Sequence, residues 1–222
     1  MYDNREYKQI RLSKQEGIIV TARIYNLLIG AVLLFGIGIN MAMALYLQNT
    51  IAQMSPILML IIYFGGSLAS LFIVYKSDNP AVSFVGFTGL SISMGVAVTY
   101  IISYYQWGDV SLAFLMTGLS TALMLLLATA FPRFFLGLGR TLFMALIATI
   151  VIEIIFRIIL HMEMAWMDYV VALLFAGYIG YDWSKAQQYP KTIDNAIDSA
   201  ADIFVDIIGL FLRLLAIFGN RS

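Results

Sequence analysis

The chain of 222 residues has no cysteine and a single histidine, His161. Without cysteine there can be no disulfide, no thiol nucleophile and no cysteine-ligated metal. A catalytic zinc site usually needs several imidazoles, and the HMEM segment at His161 does not match the HExxH pattern. No glycine-rich phosphate loop and no GxSxG motif occurs either. We therefore expect a protein that is not an enzyme and needs no cofactor.

Charge is also scarce, at 12% of the chain, and the 13 basic residues balance the 13 acidic ones. A balanced charge offers no electrostatic footprint for nucleic acid. Hydrophobic residues make up 61% of the chain, which is typical of membrane proteins that cross the bilayer several times. The first 23 residues carry charges throughout, so they do not match a cleaved signal peptide.

Apolar segments of the length needed to cross a bilayer, about 20 residues, follow one another along the chain. We predict seven of them, at Ile24–Tyr46, Pro56–Tyr75, Pro80–Tyr104, Val110–Ala130, Phe134–Ile158, Ala165–Asp182 and Ala200–Phe218. The connections are short and polar, and only the sixth is long. This arrangement leaves no room for a second domain. The predicted fold class is an all-α membrane protein with seven transmembrane helices. Its parts are a cytoplasmic segment 1–23, a transmembrane domain 24–219 and a tail 220–222.

Basic residues are distributed unevenly over this topology. With the amino terminus inside, ten of the 13 fall on the cytoplasmic side, and only Arg157, Arg213 and Arg221 fall elsewhere. Because cytoplasmic loops carry the excess of lysine and arginine, this predicts a cytoplasmic amino terminus. With an odd number of spans, the carboxyl terminus lies outside. The chain has no eukaryotic sorting signal, which favours a bacterial cell membrane.

Two aspartates, Asp182 and Asp206, lie within apolar segments. A carboxylate without a partner costs several kcal/mol or more in hydrocarbon, so such residues mark functional sites by default. On the predicted topology both lie in the cytoplasmic third of antiparallel neighbouring helices, where their carboxyl groups could meet. Two carboxylates in one site cannot both ionise cheaply, so they titrate as a unit. Once ionised, they offer the oxygen ligands that Ca²⁺ prefers.

The segments around these aspartates resemble a known family. Residues 175–182, FAGYIGYD, are similar to the F-x-G-Y-x-x-Y-D signature of the Bax inhibitor-1 family. Residues 201–219 are similar to the final helix of that family. Weaker traces lie at Asn79-Pro80, at Thr117 and at 135–139.

The resemblance implies a seven-helix protein whose last helix is central in the bundle. It implies a Ca²⁺ leak and a pH-sensing aspartate pair, which falls on Asp182 and Asp206 as the calcium ligands. In bacterial relatives an arginine at the end of helix two latches this pair. Here the nearest basic residue is Lys76, and the acidic residue that many relatives carry in helix two is also absent, since residues 62–65 read IYFG.

Arg213 could replace that latch. Asp202, Asp206, Gly209 and Arg213 follow at steps of four, three and four, so they share one helix face. We expect Gly209 to let another backbone approach closely. Arg213 is interpreted either as a gate for cations or as a packing partner of an acidic residue on a neighbouring helix.

Upstream acidic residues extend the same series, because Asp194, Asp198, Asp202 and Asp206 repeat every four positions. Asp198 and Asp202 are candidates for an acidic mouth that collects cations. The alternative is a solvated helix face, which we expect for Asp194 and Asp198.

Two further patterns predict packing. Glu153, Arg157 and His161 are four residues apart, which predicts an ion pair and an interfacial imidazole, with an outer vestibule as the alternative. Glycines in the first and third spans predict close helix packing. These are Gly30, Gly36, Gly38, Gly86, Gly89 and Gly95.

Three classes of function follow. The first is a pH-gated Ca²⁺ leak that handles Ca²⁺ and protons in the lipid bilayer. The second is a non-conducting protein that binds and modulates a membrane protease or a stress response. The third, an intramembrane aspartyl hydrolase, is disfavoured because no GxGD motif accompanies the GYD at 180–182. The sequence is compatible with a monomer.

Overall fold

The computed structural model describes residues 18–162 and 164–219. Most of the predicted amino-terminal segment and all of the predicted tail 220–222 therefore lie outside the described residues. Seven long helices account for most of the described chain. They are α1 (Ala22–Tyr46), α2 (Pro56–Lys76), α3 (Pro80–Ile102), α4 (Trp107–Ala130), α5 (Pro132–Ile154), α6 (Ala165–Ala186) and α7 (Ile193–Phe218). A short helix, Gln48–Ile51, lies between α1 and α2.

Two π-helical turns modify these helices. One, Ile62–Gly66, lies within α2, and the other, Ile155–Ile159, continues α5 beyond its last α-helical residue. Such turns hold more residues per turn than an α-helix and so shift the register of the side chains that follow. An isolated antiparallel β-bridge joins Ile19 and Thr192.

Proline and polar caps set the beginnings of α2 and α3. The Ser55 hydroxyl accepts a hydrogen bond from the Leu58 N–H at 3.3 Å, and the Asn79 side chain accepts one from the Ala81 N–H at 2.9 Å. In both helices proline occupies the first turn, where its missing N–H costs nothing. The helices therefore begin at the predicted residues, Pro56 and Pro80.

Five helices are long and apolar enough to cross a membrane: α1, α2, α3, α4 and α5 with its π turn. Many large apolar side chains of α2, α4 and α5 are exposed, as lipid-facing side chains would be. The helices α6 and α7 are not among the five. The first begins at the predicted Ala165, whereas α7 begins at Ile193 and so extends seven residues before the predicted Ala200, through a segment that contains Asp194 and Asp198. The all-α class and several spans are confirmed.

The chain divides into two compact units. The first unit contains residues 1–103 and 186–204. Its core includes the fully buried rings of Tyr25, Phe87 and Phe204. Gly36 of α1 is essential to this packing, because a Cβ there would come within 2.8 Å of Phe87 and 2.9 Å of Phe204.

Of the six glycines predicted to pack closely, Gly36, Gly86, Gly89 and Gly95 do so. For Gly30 and Gly38 the prediction was wrong, since an added Cβ would meet nothing within 4 Å. Composition alone does not reveal which side of a helix faces its neighbours.

The second unit contains residues 104–185 and 205–222. Here Gly139 of α5 accommodates the ring of Tyr181, and Gly177 of α6 accommodates Leu142. The prediction for Gly209 was wrong in one respect. The group against Gly209 is the Phe175 ring of α6, which a Cβ would meet at 2.5 Å, rather than another backbone.

Candidate functional site

Asp182 and Asp206 both belong to the second unit. Asp182 is near the end of α6 and is half-buried, whereas Asp206 on α7 is buried. The hydroxyl of Tyr178 lies within electrostatic range of both carboxylates and of the Tyr181 phenol. Tyr178 precedes Asp182 by four residues, one turn of the same helix, which places both side chains on one face of α6. The structure thus brings the two aspartates into the surroundings of one tyrosine.

Lys185 is a neighbour that the sequence reasoning missed. Its ammonium nitrogen lies 3.2 Å from Oδ1 of Asp182, and both side chains are largely covered. The same nitrogen lies 5.8 Å from the centre of the Tyr181 ring. The spacing of three residues between Asp182 and Lys185 was the available signal, since side chains three apart on a helix are neighbours.

Lys76, the predicted substitute for the latch, ends α2 in the first unit. Its nitrogen lies 5.0 Å from the centre of the Phe72 ring, one turn earlier on the same helix. Its predicted role as a latch remains a prediction.

The acidic residues of the first half of α7 lie in the first unit and are mostly buried. Asp194 is 3% exposed and accepts a hydrogen bond from the Ser83 hydroxyl of α3 at 2.6 Å. Asp198 is fully buried. The solvated face expected for these two residues was therefore wrong, because side chains of the first unit cover it. Asp202 is half-buried and accepts a short hydrogen bond from the Tyr75 hydroxyl of α2.

Tyr25 of α1 anchors the beginning of α7. Its hydroxyl lies 3.2 Å from the Ala186 carbonyl, 3.3 Å from the Asn195 carbonyl and 3.0 Å from the Ser199 hydroxyl. The Lys191 ammonium lies 4.5 Å from the centre of the Tyr25 ring and donates to the Ala186 and Gln187 carbonyls at 3.1 and 2.8 Å. Burial lowers the pKa of Lys191. The connection that carries Lys191 is thus held by side chains of its own unit.

Arg213 lies in the second unit and binds two carboxylates on two helices. Its Nη1 and Nη2 atoms donate to the two oxygens of Glu153 on α5 at 2.7 and 3.0 Å. Nη1 also donates to Oδ1 of Asp168 on α6 at 2.7 Å. These contacts match the interpretation of Arg213 as a packing partner of acidic residues on neighbouring helices, and its role as a gate remains a prediction.

The predicted pairing of Glu153 with Arg157 was wrong. Both oxygens of Glu153 are bound by Arg213 instead. The cause is the π turn Ile155–Ile159, which breaks the four-residue register that would have aligned Glu153, Arg157 and His161. His161 itself is exposed and has a φ of 51°, so the helix has already ended there.

The family model described as "Inhibitor of apoptosis-promoting Bax1" matches residues 19–222. The chain belongs to the Bax inhibitor-1 family. Within this family member, Tyr178 lies near both aspartates and Lys185 lies beside Asp182. The residue at the end of α2 is Lys76, not an arginine. Family membership and five apolar helices together make it a multi-pass membrane protein.

Two relatives in the Bax inhibitor-1 family indicate the distance of the relationship. The inner membrane protein YbhL of Escherichia coli is 28% identical over 137 residues, which cover 57% of this chain and 58% of YbhL. An uncharacterized membrane protein of Streptococcus pyogenes serotype M6 is 26% identical over 174 residues, which cover 72% of this chain and 76% of the relative. The match to YbhL therefore spans less than two thirds of that protein.

Proposed function

We propose that this Bax inhibitor-1 family protein is a pH-sensitive Ca²⁺ leak, a conduit and not an enzyme, in which Asp182 and Asp206 sense protons and bind the ion. The observation that carries the proposal is the common neighbourhood of the two carboxylates around Tyr178. The topology that goes with it has seven spans, α7 central in the bundle, a cytoplasmic amino terminus and the carboxyl terminus outside.

The neighbours of the pair give the two aspartates different tasks. Lys185 offsets the charge of Asp182 at 3.2 Å, so the proton that the pair holds belongs on the more buried Asp206. In the closed state the protonated Asp206 has no charge to attract a cation. When that proton leaves, two carboxylates face a Ca²⁺ ion, whose charge exceeds that of Lys185 and whose preferred ligands are oxygens.

The test is Ca²⁺ uptake into proteoliposomes that contain a Ca²⁺-sensitive dye, measured as the pH on the side of the pair is raised. Uptake by the parent protein should increase with pH. Asp206→Asn, which resembles a permanently protonated side chain, should keep uptake low at every pH, and Asp182→Asn should flatten the profile. The matched control is Asp78→Asn, which changes an exposed carboxylate between α2 and α3 and should leave the profile unchanged.

Lys185→Met provides a sharper test of the assigned tasks. Without the ammonium group the pair ionises less readily, so the midpoint of uptake should move to higher pH. Uptake equal to that of empty vesicles at every pH, or an Asp206→Asn profile identical to the parent, would contradict the proposal. In that case the non-conducting role would gain support if a membrane protease subunit co-purified with the protein.

A further inference from the structure

A small cavity of about 20 Å³ lies in the second unit, where α5 ends and α6 begins. This volume suits a single water molecule or a small ion. Three methionines, Met162, Met164 and Met167, line it together with Glu153 and Asp168. Met162 is 56% exposed and Met167 only 3%, so the lining includes both a surface methionine and a buried one.

The backbone places these methionines around the cavity. The Met162 N–H donates to the Phe156 carbonyl at 2.9 Å, which folds Met162 back over the π turn. The left-handed φ of 51° at His161 permits this reversal. The Met167 N–H donates to the Met164 carbonyl at 3.0 Å, so Met164, immediately before α6, and Met167, in its first turn, lie three positions apart on one side of the helix beginning.

The methionines of the cavity offer soft ligands to a metal ion. Thioether sulfur is neutral and polarizable, and it selects Cu(I) over hard cations such as Ca²⁺ and Mg²⁺, which prefer oxygen. The chain has no cysteine and only one histidine, so thioethers are its main soft ligands. Of its 12 methionines, three lie within the six residues 162–167.

The charge around the cavity favours a monovalent ion. The carboxylates of Glu153 and Asp168 are set against the guanidinium of Arg213, which leaves one negative charge. Arg157 also lines the cavity and offsets that charge. Because these four groups together carry no net charge, a divalent ion would bring twice the unbalanced charge of a monovalent one, and both carboxylates are already bound by Arg213.

We propose that Met162, Met164 and Met167 form a binding site for a soft monovalent metal ion, Cu(I) or Ag(I). The site lies apart from the aspartate pair and does not depend on Ca²⁺ conduction. A purely structural role, in which methionine fills irregular gaps, predicts the same packing but no metal affinity.

The experiment is a Cu(I) competition with the coloured chelator bicinchoninate, using the whole chain purified in detergent under anaerobic, reducing conditions. The parent should withdraw about one Cu(I) per chain from the chelator. The combined variant Met162→Leu, Met164→Leu, Met167→Leu should bind at least about tenfold more weakly, because leucine keeps the volume and removes the sulfur. The matched control is the combined variant Met41→Leu, Met116→Leu, Met144→Leu, which changes methionines outside the cavity and should bind as the parent does.

Equal Cu(I) affinity in the parent and the cavity variant would overturn the proposal, and so would an equal loss in the control variant. If the cavity variant does not elute as a folded protein, the single variant Met162→Leu replaces it, and unchanged affinity there overturns the proposal as well. X-ray absorption of the Cu(I) complex should show a shell dominated by sulfur, and a shell of nitrogen and oxygen would contradict it. Asp182→Asn and Asp206→Asn proteins should bind Cu(I) like the parent, which separates this site from the proposed Ca²⁺ function.

Discussion

Replacing Arg213 by leucine should destabilise the second unit, because it leaves two carboxylates without their common partner. Exposed ion pairs contribute about 0–1 kcal/mol, whereas removing one partner of a buried pair costs about 3–5 kcal/mol. The side chains of Arg213, Glu153 and Asp168 are 25%, 22% and 23% exposed, so they lie between these limits. We expect a loss of about 2 kcal/mol in the free energy of unfolding, or roughly 4–8 °C in Tm.

The geometry also predicts an order among the single variants. Glu153 receives two hydrogen bonds from Arg213 and Asp168 receives one, so Glu153→Gln should cost more than Asp168→Asn. Arg213→Lys should recover only part of the stability, since an ammonium group cannot bind both oxygens of Glu153 at once. The combined change of all three residues to leucine should restore most of it, because no uncompensated charge remains.

The assay is thermal unfolding of the purified protein in detergent, followed by tryptophan fluorescence. An Arg213→Leu protein within about 0.5 kcal/mol of the parent would refute the reasoning, since that is the range of ordinary surface substitutions. The same is true if Asp168→Asn costs more than Glu153→Gln.

Three other predictions use the same unfolding assay. Gly209→Ala should lower the free energy of unfolding by about 1–3 kcal/mol, because its Cβ would meet the Phe175 ring at 2.5 Å. The control Gly30→Ala meets nothing within 4 Å and should raise it by about 0.5–1 kcal/mol. Equal shifts would disprove the packing account. Tyr75→Phe should cost about 1 kcal/mol by removing the hydrogen bond to Asp202, and the exposed control Tyr46→Phe should change little; a similar effect of both would argue against that contact. Burial lowers the pKa of Lys191, so the unfolded chain holds that proton more tightly than the folded chain does. The free energy of unfolding of the parent, relative to that of Lys191→Met, should therefore rise with pH just below the ordinary lysine pKa. A difference that stays constant with pH would contradict this sign.

Local signals made the beginnings of α2 and α3 predictable. Pro56 and Pro80 begin their helices as expected, because Ser55 and Asn79 bond the first free N–H groups and proline needs none. These interactions span only a few residues, so the sequence contains all the information they require.

Partners distant in sequence could not be predicted. Ser83 and Asp194 are separated by 111 positions, and nothing in either segment indicates that they meet. For Arg213 an acidic partner on a neighbouring helix was one interpretation, but the sequence did not show which acidic residue that would be. The predicted pairing of Glu153 with Arg157 was wrong for a different reason. Arg157 lies within the π turn Ile155–Ile159, which changes the register, and no residue of that segment is a recognisable sequence signal for such a turn.

The candidate site was partly within reach. The GYIGYD segment contains Tyr178 and Asp182 one helical turn apart, and Lys185 follows three positions later. The sequence therefore contained the local neighbours of Asp182. The antiparallel order of the last two helices also predicted that Asp206 could approach Asp182, but it did not single out Tyr178 as the side chain near both, because that depends on how the two helices pack.

The buried polar beginning of α7 has a consequence for biogenesis. A segment that carries Asp194 and Asp198 partitions poorly from the translocon into lipid by itself. Ser83 and Tyr25, which bond this segment, are synthesised earlier and are already in place when α7 leaves the ribosome. The helices α1 and α3 thus provide the hydrogen-bonding groups that allow the beginning of α7 to pack. Nascent chains without the hydroxyls of Tyr25 and Ser83 should be degraded by quality-control proteases.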